Sequence, residues 1–276
     1  MPMSPRLLRP RVSGDPDALR YIAAVQLADG EPLESGVRAA ITDFVVGCKR
    51  DGIWSSIKAS CILMGARTLA GALTPLVGSA PTNVNNNLVS GDYDRKLGLL
   101  GNGSTKWINT NRNNNAEPET SQHVAVYVTT AHTSGGGGTP NNFPHYIGCG
   151  DGSLGDLGIG RSANNSTAWF IRSRSSNAIT VATGSDATGF IGKNRDNGSN
   201  IVYRSGGTTS AEQTLASLTP NSANIGIFNA QLANGTANFP TYSNGRIAFY
   251  SIGASLTLAT LDTRVSALYT AIGAAI

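Results

Sequence analysis

His123-Val124-Ala125-Val126-Tyr127-Val128-Thr129 sets three valines on one side of an extended chain and Ala125 with Tyr127 on the other. A period of two in β-branched residues marks a strand with a buried face. Working outward, the segments 106–108, 145–148, 167–172, 178–183, 189–192, 201–204, 224–229 and 246–252 read as further short strands between Gly- and Asn-rich turns. Many short strands at close spacing predict a sandwich or jelly roll and not an alternating βαβ sheet. The composition agrees: 33 glycines, and charged residues at only 14% against an average near 25%. Gly and Asn tolerate positive φ, while Ser and Thr hydrogen-bond their own backbone, so this surface suits tight turns.

Upstream the period changes to that of a helix. Asp15-Pro16-Asp17 is a helix start: a capping carboxylate, a proline at the first turn and a second acid near the positive end of the dipole. The helix should stop at Asp29-Gly30. A second opens at Pro32 and Glu34, closes on Lys49 and Arg50, and is followed by Gly52; its Leu33, Val37, Ala40, Ile41, Phe44, Val45 and Cys48 form one apolar stripe. Ile53, Trp54, Ile57, Cys61 and Met64 predict a third helical stripe. Three short helices make a core that is marginal alone, so residues 15–80 are read as a docking or assembly region that packs on the β domain or on a partner. Pro81 with Asn83, Asn85, Asn86 and Asn87 marks the boundary, and 84–276 is the β domain. It closes with a helix from about Thr257, whose Leu258, Leu261, Val265, Leu268 and Ile272 either pack on the sandwich or form a short oligomer seam.

Net charge is +4, with no long basic run. Residues 1–14 form a proline-broken basic arm carrying Arg6, Arg9 and Arg11, read as a solvated segment able to dock on partner proteins and not as a nucleic-acid binder. Cys48, Cys61 and Cys149 lack CxxC spacing, so buried free thiols are expected. The start carries no apolar signal-peptide core and no stretch reaches membrane-span length, which predicts a chain made in a cytoplasm with no membrane insertion.

Catalytic patterns are sparse. After residue 84 the only glutamates are Glu117, Glu119 and Glu212, and neither a G-x-S-x-G elbow nor a dense calcium loop occurs. The reading is therefore no enzyme, no cofactor and no metal, with Asp92 and Asp94 in structural ion pairs. Sugar binding needs an aromatic face beside planar hydrogen-bonding groups. The candidates are Trp107 with Asn111, Arg112 and Asn113, and Tyr127 or His145 with the Asp151 loop.

Gly91-Asp92-Tyr93-Asp94-Arg95-Lys96, Gly98-Leu99, Gly101, Gly103-Ser104-Thr105-Lys106, Asn111-Arg112-Asn113-Asn114 and His123-Val124-Ala125-Val126-Tyr127-Val128 together resemble the concanavalin A-like lectin/glucanase domains of bacteriophage virion proteins. Phe249-Tyr250-Ser251-Ile252-Gly253 and the helix after it resemble the closing strand and helix of laminin-G-like domains. Residues 38–76 resemble the helical segment that precedes this domain in such phage proteins. The resemblance implies a mainly β fold: a lectin-like jelly-roll β-sandwich, preceded by a small α-helical region and closed by a C-terminal helix. It also implies a virion structural protein (fibre, spike or capsid decoration) assembled with other virion proteins, as a homo-oligomer, and facing host surface glycans. The alternative is a carbohydrate-binding lectin or a glycan-active enzyme.

Overall fold

The computed structural model describes residues 14–133, 143–151, 155–161, 168–175, 177–182, 188–210, 213–238 and 241–276; Arg6, Arg9 and Arg11 lie outside them. Two antiparallel sheets face each other, as the strand pattern required. The first runs, in spatial order, Thr208–Thr209 (β13), Asn200–Ser205 (β12), Gly189–Arg195 (β11), Gln122–Thr130 (β6), Arg246–Gly253 (β17), Gly98–Leu100 (β4) and Tyr93–Asp94 (β3). Ile57–Ile62 (β1) joins it on β17, and Gln213–Thr214 (β14) pairs with β12. The second runs Ile179–Ala182 (β10), Ala168–Ser173 (β9), Leu157–Arg161 (β8), His145–Cys149 (β7), Asn224–Ile227 (β15), Ile108–Asn113 (β5) and Thr82–Asn83 (β2). Ala230–Gln231 (β16) lies parallel on β7.

The valine alternation of β6 sorts the molecule into layers. Val124, Val126 and Val128 enter the core between the sheets with Ile147, Ile159, Ile171 and Ile191, whereas Ala125 belongs to a second core under the helices. That second core is built by α1 (Pro16–Asp29), α2 (Ser35–Arg50) and α4 (Leu258–Ala275), with the one-turn α3 (Leu69–Ala72) beside α1. Phe44 of α2 meets Phe249 of β17 edge to face at 5.7 Å, and Tyr269 of α4 stacks on Tyr127 of β6 at 4.6 Å. The α4 stripe Leu258, Leu261, Val265, Leu268 and Ile272 is buried in this core.

The first two helices begin and end as their sequence dictates. Asp15 accepts hydrogen bonds from the N–H groups of Asp17 (3.0 Å) and Ala18 (3.3 Å), and Gly30 ends α1 at φ 72°. Lys49, in the last turn of α2, pairs with both Asp15 (2.8 Å) and Asp17 (2.6 Å), tying one helix end to the other. The third helical stripe is not formed. Residues 57–62 are a strand, with Cys61 opposite Tyr250 and Ile62 opposite Phe249. The open edge of β17 offers backbone partners along this segment, and Ile57, Ala59 and Cys61 also satisfy a period of two, so tertiary pairing overrides the helical spacing. Ile57 and Ile62 face the helix core, whereas Ala59, Cys61 and Leu63 face the inter-sheet core.

One end of the inter-sheet space is polar. Lys193 and Arg195 extend β11 inward, where Lys193 donates to Gln122 Oε1 (2.7 Å) and Ser173 Oγ (3.1 Å) and Arg195 donates to the Ser173 carbonyl (2.8 and 3.0 Å). Arg174 donates to the Pro118 carbonyl (2.7 Å) and to Asn114. Burial pushes the Lys193 ammonium far below its ordinary range. The three cysteines are buried and unpaired, and burial raises each thiol to about 12.

Candidate functional site

An open cleft of about 390 Å³ lies where the chain leaves β17 and crosses the end of β11 to start α4. Its polar lining is Asn194, Asp196, Thr209, Ser255 and Thr257, and its apolar walls are Val202, Leu256, Leu258 and Ala259. Asn194 sits opposite His123 in the ladder, on the face of the sheet that the helices cover. It is 7% exposed; its Oδ1 accepts from the Leu256 N–H (2.8 Å), and its Nδ2 has no partner among the described residues. That bond fixes the amide orientation and leaves its two N–H donors uncommitted in a residue that lines the cleft. Asp196 follows on the Asp196-Asn197-Gly198 turn, where Asn197 Oδ1 accepts from the N–H groups of Ser199 (2.9 Å) and Asn200 (2.8 Å). The same side chain donates from Nδ2 to Asp196 Oδ1 (2.8 Å), so the exposed carboxylate is oriented with acceptor capacity to spare.

The opposite wall is the start of α4. Thr257 makes no side-chain cap, and the first intrahelical bond runs from the Leu261 N–H to the Thr257 carbonyl at 3.2 Å. The first-turn N–H groups therefore add donors and the positive end of the helix dipole. Thr209 is held across the cleft by Arg204, whose Nη1 donates to Thr209 Oγ1 (2.9 Å) while its Nε donates to Asp262 (2.7 Å). A fixed carboxylate, an amide donor, three hydroxyls and aliphatic walls can hydrogen-bond a polyhydroxylated ring while covering its CH faces.

The residues singled out from sequence fall elsewhere and are not brought together. Trp107 is 3% exposed in the inter-sheet core. Asn111 donates to the Ala80 carbonyl (2.8 Å), Arg112 pairs with Glu117, and Asn113 caps a short 3-10 turn, so all three fasten loops. Tyr127 lies on the first sheet beneath α4. His145 opens β7 of the second sheet and Asp151 follows that strand's end; Arg172 lowers the His145 pKa, and Asp151 in turn raises that of Arg172. The His145 ring lies over Gly148 and Gly158 and meets Phe170 at 5.1 Å; its Nδ1 donates to the Phe143 carbonyl (2.7 Å), and burial holds its pKa near 4. Asp92, expected in an ion pair, takes Lys106 at 2.6 Å, while its neighbour Arg95 reaches Glu34 at 2.8 Å. Among the described residues no three His, Cys, Asp or Glu side chains gather as a metal site would require.

Two facing antiparallel sheets closed by a C-terminal helix define a lectin-like β-sandwich. The sialidase of Trypanosoma rangeli, solved with sialic acid, is similar to 77% of this chain at 12% identity and a TM-score of 0.50, over 33% of its own length. The binding domain of botulinum neurotoxin serotype D is similar over 77% of this chain and 51% of its own, at 10% identity and a TM-score of 0.47. The chain thus spans about a third of the sialidase and about half of the toxin domain. No family model and no curated protein matches it. The matched structures carry the sandwich and not the virion setting. The sialidase likeness corrects the expectation of a non-enzymatic chain: a sialidase shares this architecture, so the scarcity of sequence motifs does not exclude glycan chemistry.

Proposed function

We propose that the chain is a carbohydrate-binding sandwich that takes an uncharged sugar ring in the cleft between Asp196 and the start of α4. The observation that carries this reading is an oriented carboxylate on Asp196 and the amide of Asn194, its Oδ1 already taken by the Leu256 N–H, lining one open cavity. Asp196 would accept from adjacent hydroxyls, and Asn194 Nδ2 with the first-turn N–H groups would donate to a third oxygen. The carboxylate disfavours acidic sugars at this position. The sialidase likeness supports a glycan context. The resemblance to phage virion proteins supplies the setting we propose, display in several copies beside other virion proteins with host surface glycans as ligand; recovery of the chain from purified particles tests it.

The test is a glycan array probed with the wild-type chain and Asp196→Asn, with polysaccharide turnover followed in the same samples. Neutral glycans should bind, and the variant should bind at least about tenfold more weakly, as expected for loss of a charged hydrogen bond. Retention of full binding in the variant, or silence of the wild type on neutral glycans, removes the proposal.

A further inference from the structure

The end of the sandwich away from the cleft holds buried donors without acceptors. Strand register separates the two ends: Gln122 pairs with Arg195 near the cleft, and Val128 pairs with Gly189 at the far side. Beyond β6 on that far side, His132 donates its backbone N–H to the Tyr146 hydroxyl (2.7 Å) and accepts the Asn244 N–H at Nδ1 (3.0 Å). An Nδ1 that accepts leaves the proton of a neutral imidazole on Nε2, so Nε2–H is a donor. That atom is buried and has no partner. Tyr146 leans on Trp169 at 5.5 Å, and the Arg161 guanidinium lies over the same Trp169 ring, also at 5.5 Å. Arg161 is 4% exposed, and both its Nε and its Nη1 are buried without a hydrogen-bond partner.

A guanidinium cannot escape burial by losing its proton, because its affinity for that proton is too high. An uncompensated buried cation is among the most costly features a fold can hold, and the ring face of Trp169 offsets only part of that cost. The neighbours named above supply no carboxylate, and the segments that follow His132 and Arg161 in the chain, 134–142 and 162–167, contain no Asp or Glu. Arg161 acts electrostatically on both His132 and Tyr146, so two guanidinium N–H groups and one imidazole N–H lie within reach of one another, the donor set of an anion hole.

We infer that this end of the sandwich is a binding site for a small anion, chloride or a simple carboxylate such as acetate, held by Arg161 with His132 as second donor. The anion completes the fold there, and its site is separate from the sugar cleft.

Thermal unfolding and tryptophan fluorescence of the full chain, titrated with sodium acetate and sodium chloride from about 1 to 200 mM, test the assignment. Wild type should gain about 5 °C in Tm, the shift that mass-action binding at roughly a hundredfold excess over Kd brings to a chain of this size. Trp169 emission should change in a saturable way over the same range. Arg161→Gln should lose the saturable fluorescence change and most of the Tm gain, which separates binding from a general salt effect. If that variant does not fold, the wild-type fluorescence titration decides alone. Equal responses in wild type and variant overturn the inference, as does a wild type that shows no saturable response. Asp186→Asn tests the acid in the segment that leads into β11: if anion dependence appears only in this variant, Asp186 supplies the counter-charge and the inference fails.

Discussion

Replacing His123 should flatten the acid limb of the stability curve by an amount set by its burial. The imidazole lies on the helix-covered face of β6, with Nδ1 donating to the Ala254 carbonyl (2.6 Å) and Nε2 accepting from Ser251 Oγ (2.7 Å). Desolvation, reinforced by the nearby Lys193, holds its pKa near 4. In the unfolded chain the same group titrates near about 6.5. Between those values the unfolded chain binds a proton that the folded chain refuses. The contribution is therefore complete above pH 6.5, declines as pH falls toward 4, and is fully lost below that. At about 1.4 kcal/mol per tenfold change in proton affinity, the loss reaches about 2.5 kcal/mol by pH 4.5, starting from a folded pKa of about 4. His123→Gln cannot titrate there. Urea unfolding of both proteins at pH 7.5 and 4.5, at fixed ionic strength, gives the comparison. The variant should be less stable at pH 7.5 by about 1–3 kcal/mol, for the altered buried hydrogen bonds. It should also lose about 2.5 kcal/mol less than wild type on acidification. Parallel losses in the two proteins would refute the assignment of a neutral, buried His123.

Phe44→Ala removes a side chain that is 2% exposed and packed against Phe249, and should cost about 3–5 kcal/mol in a single cooperative transition. A separate early transition for residues 15–50 in denaturant titrations would show instead that the helices and the sandwich do not share a core. Gly98→Ala places a Cβ 2.2 Å from the Ile247 carbonyl at φ +93°, whereas Gly206→Ala, at φ +56°, meets nothing within 4 Å. The second change should cost about 1 kcal/mol of left-handed strain. The first should cost distinctly more, and equal Tm values would contradict the close approach of β4 to β17.

What the sequence revealed follows from where period and burial coincide. The valines of β6 and the stripe of α4 were legible because each face has one environment along its whole length. β1 was not, because Ile57, Cys61 and Met64 fit a helical spacing while Ile57, Ala59 and Cys61 fit an extended one, and only the edge of β17 decides between them. The inner half of β11 was hidden for another reason. Lys193 and Arg195 look like loop residues, yet both point inward and are satisfied by Gln122 and Ser173 on neighbouring strands. The cleft was out of reach: Asn194 and Ser255 meet only through the ladder that sets β11 against β6 and β6 against β17. Isolated Asn, Asp and Ser residues carry no periodic signal, whereas Trp107 drew attention for an aromatic surface that proves to be core.

For the proposed sugar cleft, the helices matter beyond stability. They cover the outer face of the first sheet, so an opening on that side must lie beyond the helix ends. To lay α4 on the sheet, the chain leaving β17 turns across the end of β11, and the Leu256 N–H to Asn194 Oδ1 bond pins that crossing. The turn leaves the first residues of α4 uncapped beside Asp196, which is why the cleft combines donors and a carboxylate. Cleft and helix docking therefore depend on each other. Loosening the α2–α4–sheet core by Phe44→Ala frees α4 to shift without touching a cleft residue, so weaker sugar binding in that variant would report the coupling directly.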